Sequence, residues 1–137
     1  MKILVAVDPS DSKFLPVVRA AEIARKEGAE LTLMGVAEVV ETAETIIGSD
    51  FYGQVEDYVR KALEAAREAA KNAGAEASVV QATGDSPAEL VVDEAQRGGY
   101  DLVVTGTRGK KGVSRLLLGS VAGKIVTLAP CSVLVVR

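Results

Sequence analysis

The chain has 137 residues, 48% of them apolar, which is enough for one compact domain spanning 1–137, and its net charge of −3 argues against a general nucleic-acid partner. A single cysteine and the absence of histidine exclude an internal disulfide and a cysteine–histidine zinc site, and they favour a cytoplasmic location. The first apolar run, 3–7, is too short for a secretory signal, and no run approaches the roughly 20 apolar residues that span a bilayer, so we expect a soluble protein with no membrane partner.

Short apolar runs alternate along the chain with longer amphipathic stretches. The runs predict strands over 2–8, 29–37, 75–83, 100–106 and 131–136. The amphipathic stretches predict helices over 10–28, 52–72, 86–99, and from Ser114 or Gly119 to Leu128. The irregular stretch 38–51 is read as a loop, with a loop that includes a short helical turn as the alternative. The apolar stripe of the second helix is formed by Val55, Val59, Ala62, Ala66 and Ala69. This alternation predicts an α/β fold with a parallel sheet that is covered by helices on both faces.

Two helix starts carry recognisable capping residues. Ser10 or Ser12 is expected to cap the first helix. In the third, Ser86 is the expected N-cap, Pro87 the first helical residue, and Glu89 the reciprocal partner of a capping box. Capping alone therefore explains the polar residues that precede the third helix.

Two strand ends carry residues that the fold does not explain. Asp8 follows the first strand, and Gly106 opens a glycine-rich segment after the fourth. Ligands of parallel α/β sheets bind beyond the carboxyl ends of the strands, where neighbouring connections diverge to opposite faces. Asp8 and Gly106 would share such a crevice if strands one and four are adjacent, an order that periodicity leaves open.

The segment GTRGKKGVSRLLLGS, here called the glycine stretch (106–120), has the spacing G-x2-G-x9-G-S, formed by Gly106, Gly109, Gly119 and Ser120. A random match to this spacing somewhere in the chain has a chance of roughly 1%. The segment lacks the spacing of a Walker A loop, and no G-x-G-x-x-G follows the first strand. It runs from a predicted strand end to a predicted helix start, where free N–H groups bind anions. We therefore take it as a candidate phosphate site.

Charge is distributed unevenly between the two parts of the chain. Residues 1–101 contain all 19 acids and 10 bases, a net charge of −9, whereas 102–137 contain six bases and no acid. A positive segment of this kind suggests an anionic partner, and a solvated basic surface is the alternative. Whether the cations of the glycine stretch touch phosphate stays open for Arg108, Lys110, Lys111 and Arg115.

Four segments together resemble the ATP-binding subgroup of the universal stress protein (UspA-like) family. They are ILVAVDPSDSK, TGDSPAELVV, the glycine stretch and GSVAGKIVTLAPCSVLVVR, and the resemblance covers nearly the whole chain. It implies a doubly wound, Rossmann-like five-stranded parallel sheet in the order 3-2-1-4-5, of the adenine nucleotide alpha hydrolase-like type. It also implies a homodimer through the last strand, 131–136, and ATP in the crevice beside strands one and four.

The resemblance also assigns nucleotide contacts, residue by residue. It places adenosine after the first two strands, and the ribose and phosphates on the glycine stretch. The implied contacts are Ala6, Val7, Asp8, Val36, Gly106, Thr107, Arg108, Gly109, Lys110, Gly119, Ser120 and Val121. Mg²⁺ or Mn²⁺ would be held through the phosphates, with no protein metal ligand and no catalytic residue assigned. Ala122 departs from the family pattern, which often has a hydroxyl there.

The first hypothesis is an ATP-binding stress-response or signalling module with little or no turnover. The chain has no histidine base, no Walker lysine and no evident acidic pair to position a water. A slow ATPase or phosphotransferase would use the same crevice, and a family member that dimerises without nucleotide is a further alternative. A phospho-accepting receiver domain requires an acidic pair after the first strand, whereas Val7 precedes a single Asp8.

Overall fold

Five strands and four helices alternate along the chain in a computed structural model that describes residues 1–40, 50–107 and 118–137. In chain order they are β1 (Lys2–Ala6), α1 (Leu15–Glu27), β2 (Glu30–Glu38), α2 (Asp50–Asn72), β3 (Ala77–Gly84), α3 (Pro87–Arg97), β4 (Leu102–Gly106), α4 (Ser120–Leu128) and β5 (Ser132–Val136). Within these described ranges, no helix combines the length and the apolar character needed to cross a bilayer.

The strands form one parallel sheet in the order β3-β2-β1-β4-β5, which confirms the predicted fold class and strand order. β1 lies at its centre, where Val5 pairs with Leu33 of β2 on one side and with Val104 of β4 on the other. Helices cover both faces of β1, so its apolar run is continuous instead of alternating. Because β1 and β4 are adjacent, the strand ends that carry Asp8 and Gly106 lie side by side.

Two apolar layers hold the helices against the sheet. On one face, β-strand residues such as Ile3 and Val5 pack with Val17 of α1 and Val59 of α2. On the other face, Leu4 and its neighbours pack with residues of α3 and α4. Alternate residues of β1 thus point into different layers, as the pleat of a strand requires.

The buried face of α2 is displaced slightly from the predicted stripe. Its fully buried residues are Val59, Leu63, Ala66 and Ala70, whereas Val55, Ala62 and Ala69 are only partly buried. The helix lies close to β2 at Gly35, which has no side chain to hold it away. A Cβ added to Gly35 would lie 2.7 Å from Cγ1 of Val59 and 3.0 Å from Cδ1 of Leu63. This close approach brings both Val59 and Leu63 against β2.

The predicted start of α1 is wrong by five residues. The helix begins at Leu15, and its N-cap is Phe14, in the left-handed region at φ 51° and with no side-chain cap hydrogen bond. Neither Ser10 nor Ser12 is therefore the cap. Ser10 instead donates its backbone N–H and its hydroxyl to Oδ1 of Asp8, at 2.9 and 2.7 Å. The short polar side chains form a turn before the helix instead of starting it.

The capping box before α3 is confirmed in its positions but not in its hydrogen bonds. Ser86 is the N-cap and Pro87 follows it, yet the Ser86 side chain makes no cap hydrogen bond. Oε1 of Glu89 lies 3.9 Å from Nζ of Lys124 in α4, which links the two helices of this face. For α4, the predicted start at Gly119 agrees with the observed N-cap. The alternative start, Ser114, lies outside the described residues.

Candidate functional site

A cavity of about 540 Å³, named the cleft, opens at the carboxyl end of the sheet. Its lining comes from the ends of β1, β2, β4 and β5, from the connection between β1 and α1, and from the first turns of α1, α3 and α4. β1 and β4 are neighbours, but α1 leaves toward one face and α4 lies on the other. The cleft therefore lies at the point where the chain connections diverge, as α/β sheets favour for ligands.

Seven of the twelve residues singled out from the sequence line the cleft: Ala6, Val7, Asp8, Val36, Gly106, Thr107 and Val121. Gly119 and Ser120 directly precede Val121 at the start of α4 but are not among the lining residues. Three others, Arg108, Gly109 and Lys110, lie outside the described residues, as do Lys111 and Arg115. The structure thus gathers the strand-end residues and the helix start around one cavity.

The two ends of the glycine stretch meet beside the cleft. The backbone N–H of Gly119 donates to the carbonyl oxygen of Thr107 over 2.7 Å, so β4 and α4 are joined directly across the stretch. Gly119 is buried, and α4 then begins at Ser120. Because Val121 and Ala122 line the cleft, the first turn of α4, whose N–H groups have no partner within the helix, borders the cavity. Such a helix start attracts anions.

Asp8 lines the wall of the cleft that the β1–α1 connection forms, and its hydrogen bonds stabilise that connection. Its Oδ1 accepts both hydrogen bonds from Ser10, and its carbonyl oxygen accepts the N–H of Asp11 over 3.1 Å. Oδ1 of Asp11 in turn accepts the N–H of Lys13 over 2.9 Å. Oδ1 of Asp8 is thus used within its own turn.

Residues of α2 and α1 make further contacts with this wall and with the neighbouring end of β4. The hydroxyl of Tyr58 in α2 donates to the carbonyl oxygen of Pro9 over 3.2 Å. In the first turn of α1, Pro16 lies against the end of β4, because a Cβ on Gly106 would lie 3.5 Å from Cγ of Pro16. A left-handed Phe14 completes the turn, a conformation that non-glycine residues adopt mainly where the surrounding structure imposes it.

Thr105 is a polar residue that the sequence analysis did not single out. It lines the cleft at the end of β4 and is only 4% exposed. Its hydroxyl donates to the carbonyl oxygen of Gly106 over 3.4 Å, which is long for a hydrogen bond between oxygens. A buried hydroxyl with so weak a bond is suited to bonding a polar ligand in the cavity.

The segment 9–16 and the end of β5 also line the cleft, although neither was assigned a ligand contact from the sequence. Lys13 and Arg137 bring positive charge there. Their place in the sequence indicated this, because ligands of parallel α/β sheets bind beyond the carboxyl ends of the strands, and both segments follow a predicted strand or end one. Val136 pairs with Gly106 in the sheet, which places the end of β5 beside the glycine stretch.

Across 1–40, 50–107 and 118–137, no three His, Cys, Asp or Glu side chains are grouped to hold a metal ion. Cys131 is half-buried in the layer beneath α4. Partial burial and the negative charge of Asp101 raise the pKa of its thiol.

Comparison with known proteins relates the whole chain to one family. The model of the Universal stress protein family matches residues 1–137. Universal stress protein YxiE of Bacillus subtilis is 34% identical over 146 residues, covering 99% of this chain and 98% of its own. Universal stress protein UspA from Lactobacillus plantarum superposes with a TM-score of 0.84 at 24% identity, covering 100% and 97% of the two chains. A universal stress protein crystallised in complex with cAMP superposes at 0.77 with 26% identity, covering 100% and 97%.

Proposed function

Because this chain belongs to the universal stress protein family, we propose that it is an ATP-binding stress-response or signalling module with little or no turnover. In this proposal residues 1–137 act as a single cytoplasmic domain, and ATP occupies the cleft between the ends of β1 and β4. The observation that carries the proposal is the cleft itself. It places the end of β1, the end of β4 and the start of α4 around one cavity.

The size and position of the cleft suit a nucleotide. Its volume of about 540 Å³ falls within the usual range for small-molecule sites. The related protein crystallised with cAMP has an adenine nucleotide as its ligand, and it shares the fold of this chain over its full length. An adenine nucleotide is therefore the ligand class that fits both the family and the cavity.

The lining of the cleft suggests an orientation for ATP. Ala6, Val36 and Val91 give the side near β2 and α3 an apolar character suited to the adenine ring. The start of α4 and the hydroxyl of Thr105 lie on the β4 side, where anionic phosphates are favoured. Mg²⁺ or Mn²⁺ would be bound through the phosphates and water, with the protein contributing shape and N–H donors.

ATP binding predicts a large stabilisation of the folded protein. A ligand present at 100 times its dissociation constant raises the free energy of unfolding by about 2.7 kcal/mol. We expect millimolar Mg-ATP to raise the melting temperature by several degrees, and freshly purified protein to release an adenine nucleotide on denaturation. Differential scanning fluorimetry and chromatography of the denatured supernatant measure the two effects. No released nucleotide together with an unmoved melting temperature would contradict the proposal.

Slow hydrolysis or phosphotransfer in the same cleft is the second candidate. It predicts steady ADP release above a protein-free control, and loss of that release in the variant Gly109→Val. ATP that remains intact over many hours in the presence of the protein favours the binding module instead. The family member that dimerises without nucleotide corresponds to a third outcome, a dimer whose stability ATP does not change.

We also propose that the protein is a homodimer paired through β5. This strand forms one edge of the sheet, carries no charged residue and has apolar side chains that are only partly buried. On the neighbouring helix, Val126 and Leu128 are 46% and 49% exposed. An uncharged, apolar edge is the kind of surface that pairs with a second chain.

The dimer predicts different effects for matched lysines on the two sheet edges. Val135→Lys in β5 is expected to yield a monomer, because it places two charges in the shared interface. Val79→Lys, at a 43% exposed position of the opposite edge strand β3, is expected to leave the dimer intact. Light scattering coupled to size-exclusion chromatography gives the mass, and circular dichroism verifies that both variants are folded. A monomeric wild-type protein at micromolar concentration would refute the dimer.

A further inference from the structure

Charged residues are unevenly arranged around the cleft. In the described part of its lining the charged residues are Asp8, Asp11, Lys13, Glu38 and Arg137. Glu38 ends β2 and Arg137 follows β5, and β1 and β4 lie between those strands. With neighbouring strands roughly 4.8 Å apart, about 14 Å of sheet separates the two ends of the cleft. One end therefore carries a carboxylate, and the other carries a guanidinium.

The two remaining acids serve the turn that forms the wall. Oδ1 of Asp8 accepts two hydrogen bonds from Ser10, and Oδ1 of Asp11 accepts the N–H of Lys13. These bonds fix the backbone of Lys13 immediately before α1. Among the described residues, the ammonium of Lys13 has no hydrogen bond and no ion pair. The backbone therefore positions Lys13 in the lining of the cleft, and its ammonium group pairs with no other described residue.

Three parts of the chain converge on the end of β4. Pro16, three residues after Lys13, lies against Gly106. Val136 pairs with Gly106 in the sheet, so Arg137 follows beside the residue after Gly106. Thr107 is that residue, and its carbonyl oxygen accepts the N–H of the α4 N-cap. The start of α4, the Lys13 turn and the end of β5 thus surround the same end of the cleft.

We propose that Lys13 and Arg137 bind the phosphate chain of the ligand from the side opposite α4, and that the cleft thereby favours nucleoside triphosphates over monophosphates. This inference rests on the proposed function and extends it to residues outside the glycine stretch. The first turn of α4 offers N–H groups suited to one phosphate group. Two additional cations on the other side of Gly106 serve a longer and more negative chain.

The test compares ligands that differ only in the number of phosphate groups. Adenosine, AMP, ADP and ATP, each with Mg²⁺, are titrated calorimetrically into wild-type protein, Lys13→Gln, and Lys13→Gln/Arg137→Gln. Lys26→Gln, an exposed lysine in the last turn of α1, is the matched control for the loss of one charge. We expect Lys13→Gln to weaken ATP binding about three- to tenfold and the double variant to weaken it further, with adenosine changed less than about twofold.

The outcomes separate this inference from the function on which it rests. If wild-type protein binds none of the four ligands, the proposed function fails, and the inference fails with it. If wild-type protein binds them but the ratio of ATP to AMP affinity is the same in the double variant as in Lys26→Gln, only the inference is overturned. A ratio that falls in the double variant, together with a weaker dependence of ATP binding on salt, supports it.

Discussion

Replacing Ile125 with alanine is expected to lower the free energy of unfolding by about 3 kcal/mol, within the range for large-to-small changes at fully buried positions. Ile125 is 0% exposed and packs into the layer that contains Leu4 and Val103. α4 has only nine residues, and its buried residues are Ala122 and Ile125. Ile125 is thus the one large side chain of this helix that is fully buried against the sheet. Urea denaturation of the wild-type and variant proteins measures the loss.

The neighbouring position provides the control for this change. Val126→Ala removes a side chain that is 46% exposed, and when both changes are made in the Val135→Lys background, which is expected to be monomeric, it should change stability by less than about 0.5 kcal/mol. Because α4 begins at the cleft, loosening it in Ile125→Ala is also expected to weaken nucleotide binding beyond what global unfolding explains. Equal destabilisation by both variants would show that Ile125 does not anchor the helix.

The layered architecture was predictable because its signals lie within single elements. The continuous apolar run of β1 is required when helices cover both faces, and the five runs gave five strands in the expected places. Strand order required more than periodicity. It came from the family resemblance, because pairing of β1 with β4 depends on residues about 100 positions apart.

Helix ends and helix faces were less predictable, because tertiary contacts decide them. Ser10 resembles an N-cap, but Asp8 offers it two hydrogen bonds, and the helix starts only after Phe14. The predicted stripe of α2 included Val59, which meets Gly35, but omitted Leu63, which is buried against the same glycine. The close approach of β2 at Gly35 is a tertiary contact, and helical periodicity alone does not contain it.

Sequence reasoning located the cleft but described only half of it. A glycine spacing and a strand-end aspartate pointed to the β1 and β4 ends, and seven of the residues implied by the resemblance line the cavity. Lys13 and Arg137 lie in two of the segments that carry the resemblance, but the resemblance assigns no nucleotide contact to either. They reach the cleft through the turn before α1 and through the pairing of β5 with β4. Both follow strand ends, as the strand-end rule allows, but only the structure shows that they line the same cavity.

Gly35→Val is expected to lower the free energy of unfolding by about 3 kcal/mol, at the upper end of the usual range for overpacking. The Cβ of any side chain at this position would lie 2.7 Å from Cγ1 of Val59, which is closer than Cβ atoms approach other atoms in proteins. Two further methyl groups would be inserted between β2 and α2. Either α2 moves away from the sheet, or the side chains leave their preferred rotamers. Chemical denaturation measures the loss, and an unchanged transition midpoint would contradict this packing.

A double-mutant cycle identifies the contact that is responsible. Gly35→Ala adds only the Cβ and is expected to cost about 2 kcal/mol, whereas Val59→Ala removes the clashing methyl groups and leaves a small cavity. In the double variant the new Cβ occupies that space, so the combined loss is expected to be smaller than the sum of the single losses by about 1 kcal/mol. Tyr58→Ala, on the exposed side of the same helix turn, is the control and is expected to combine additively with Gly35→Ala. Strict additivity in both pairs would mean that Val59 does not limit how closely α2 approaches the sheet.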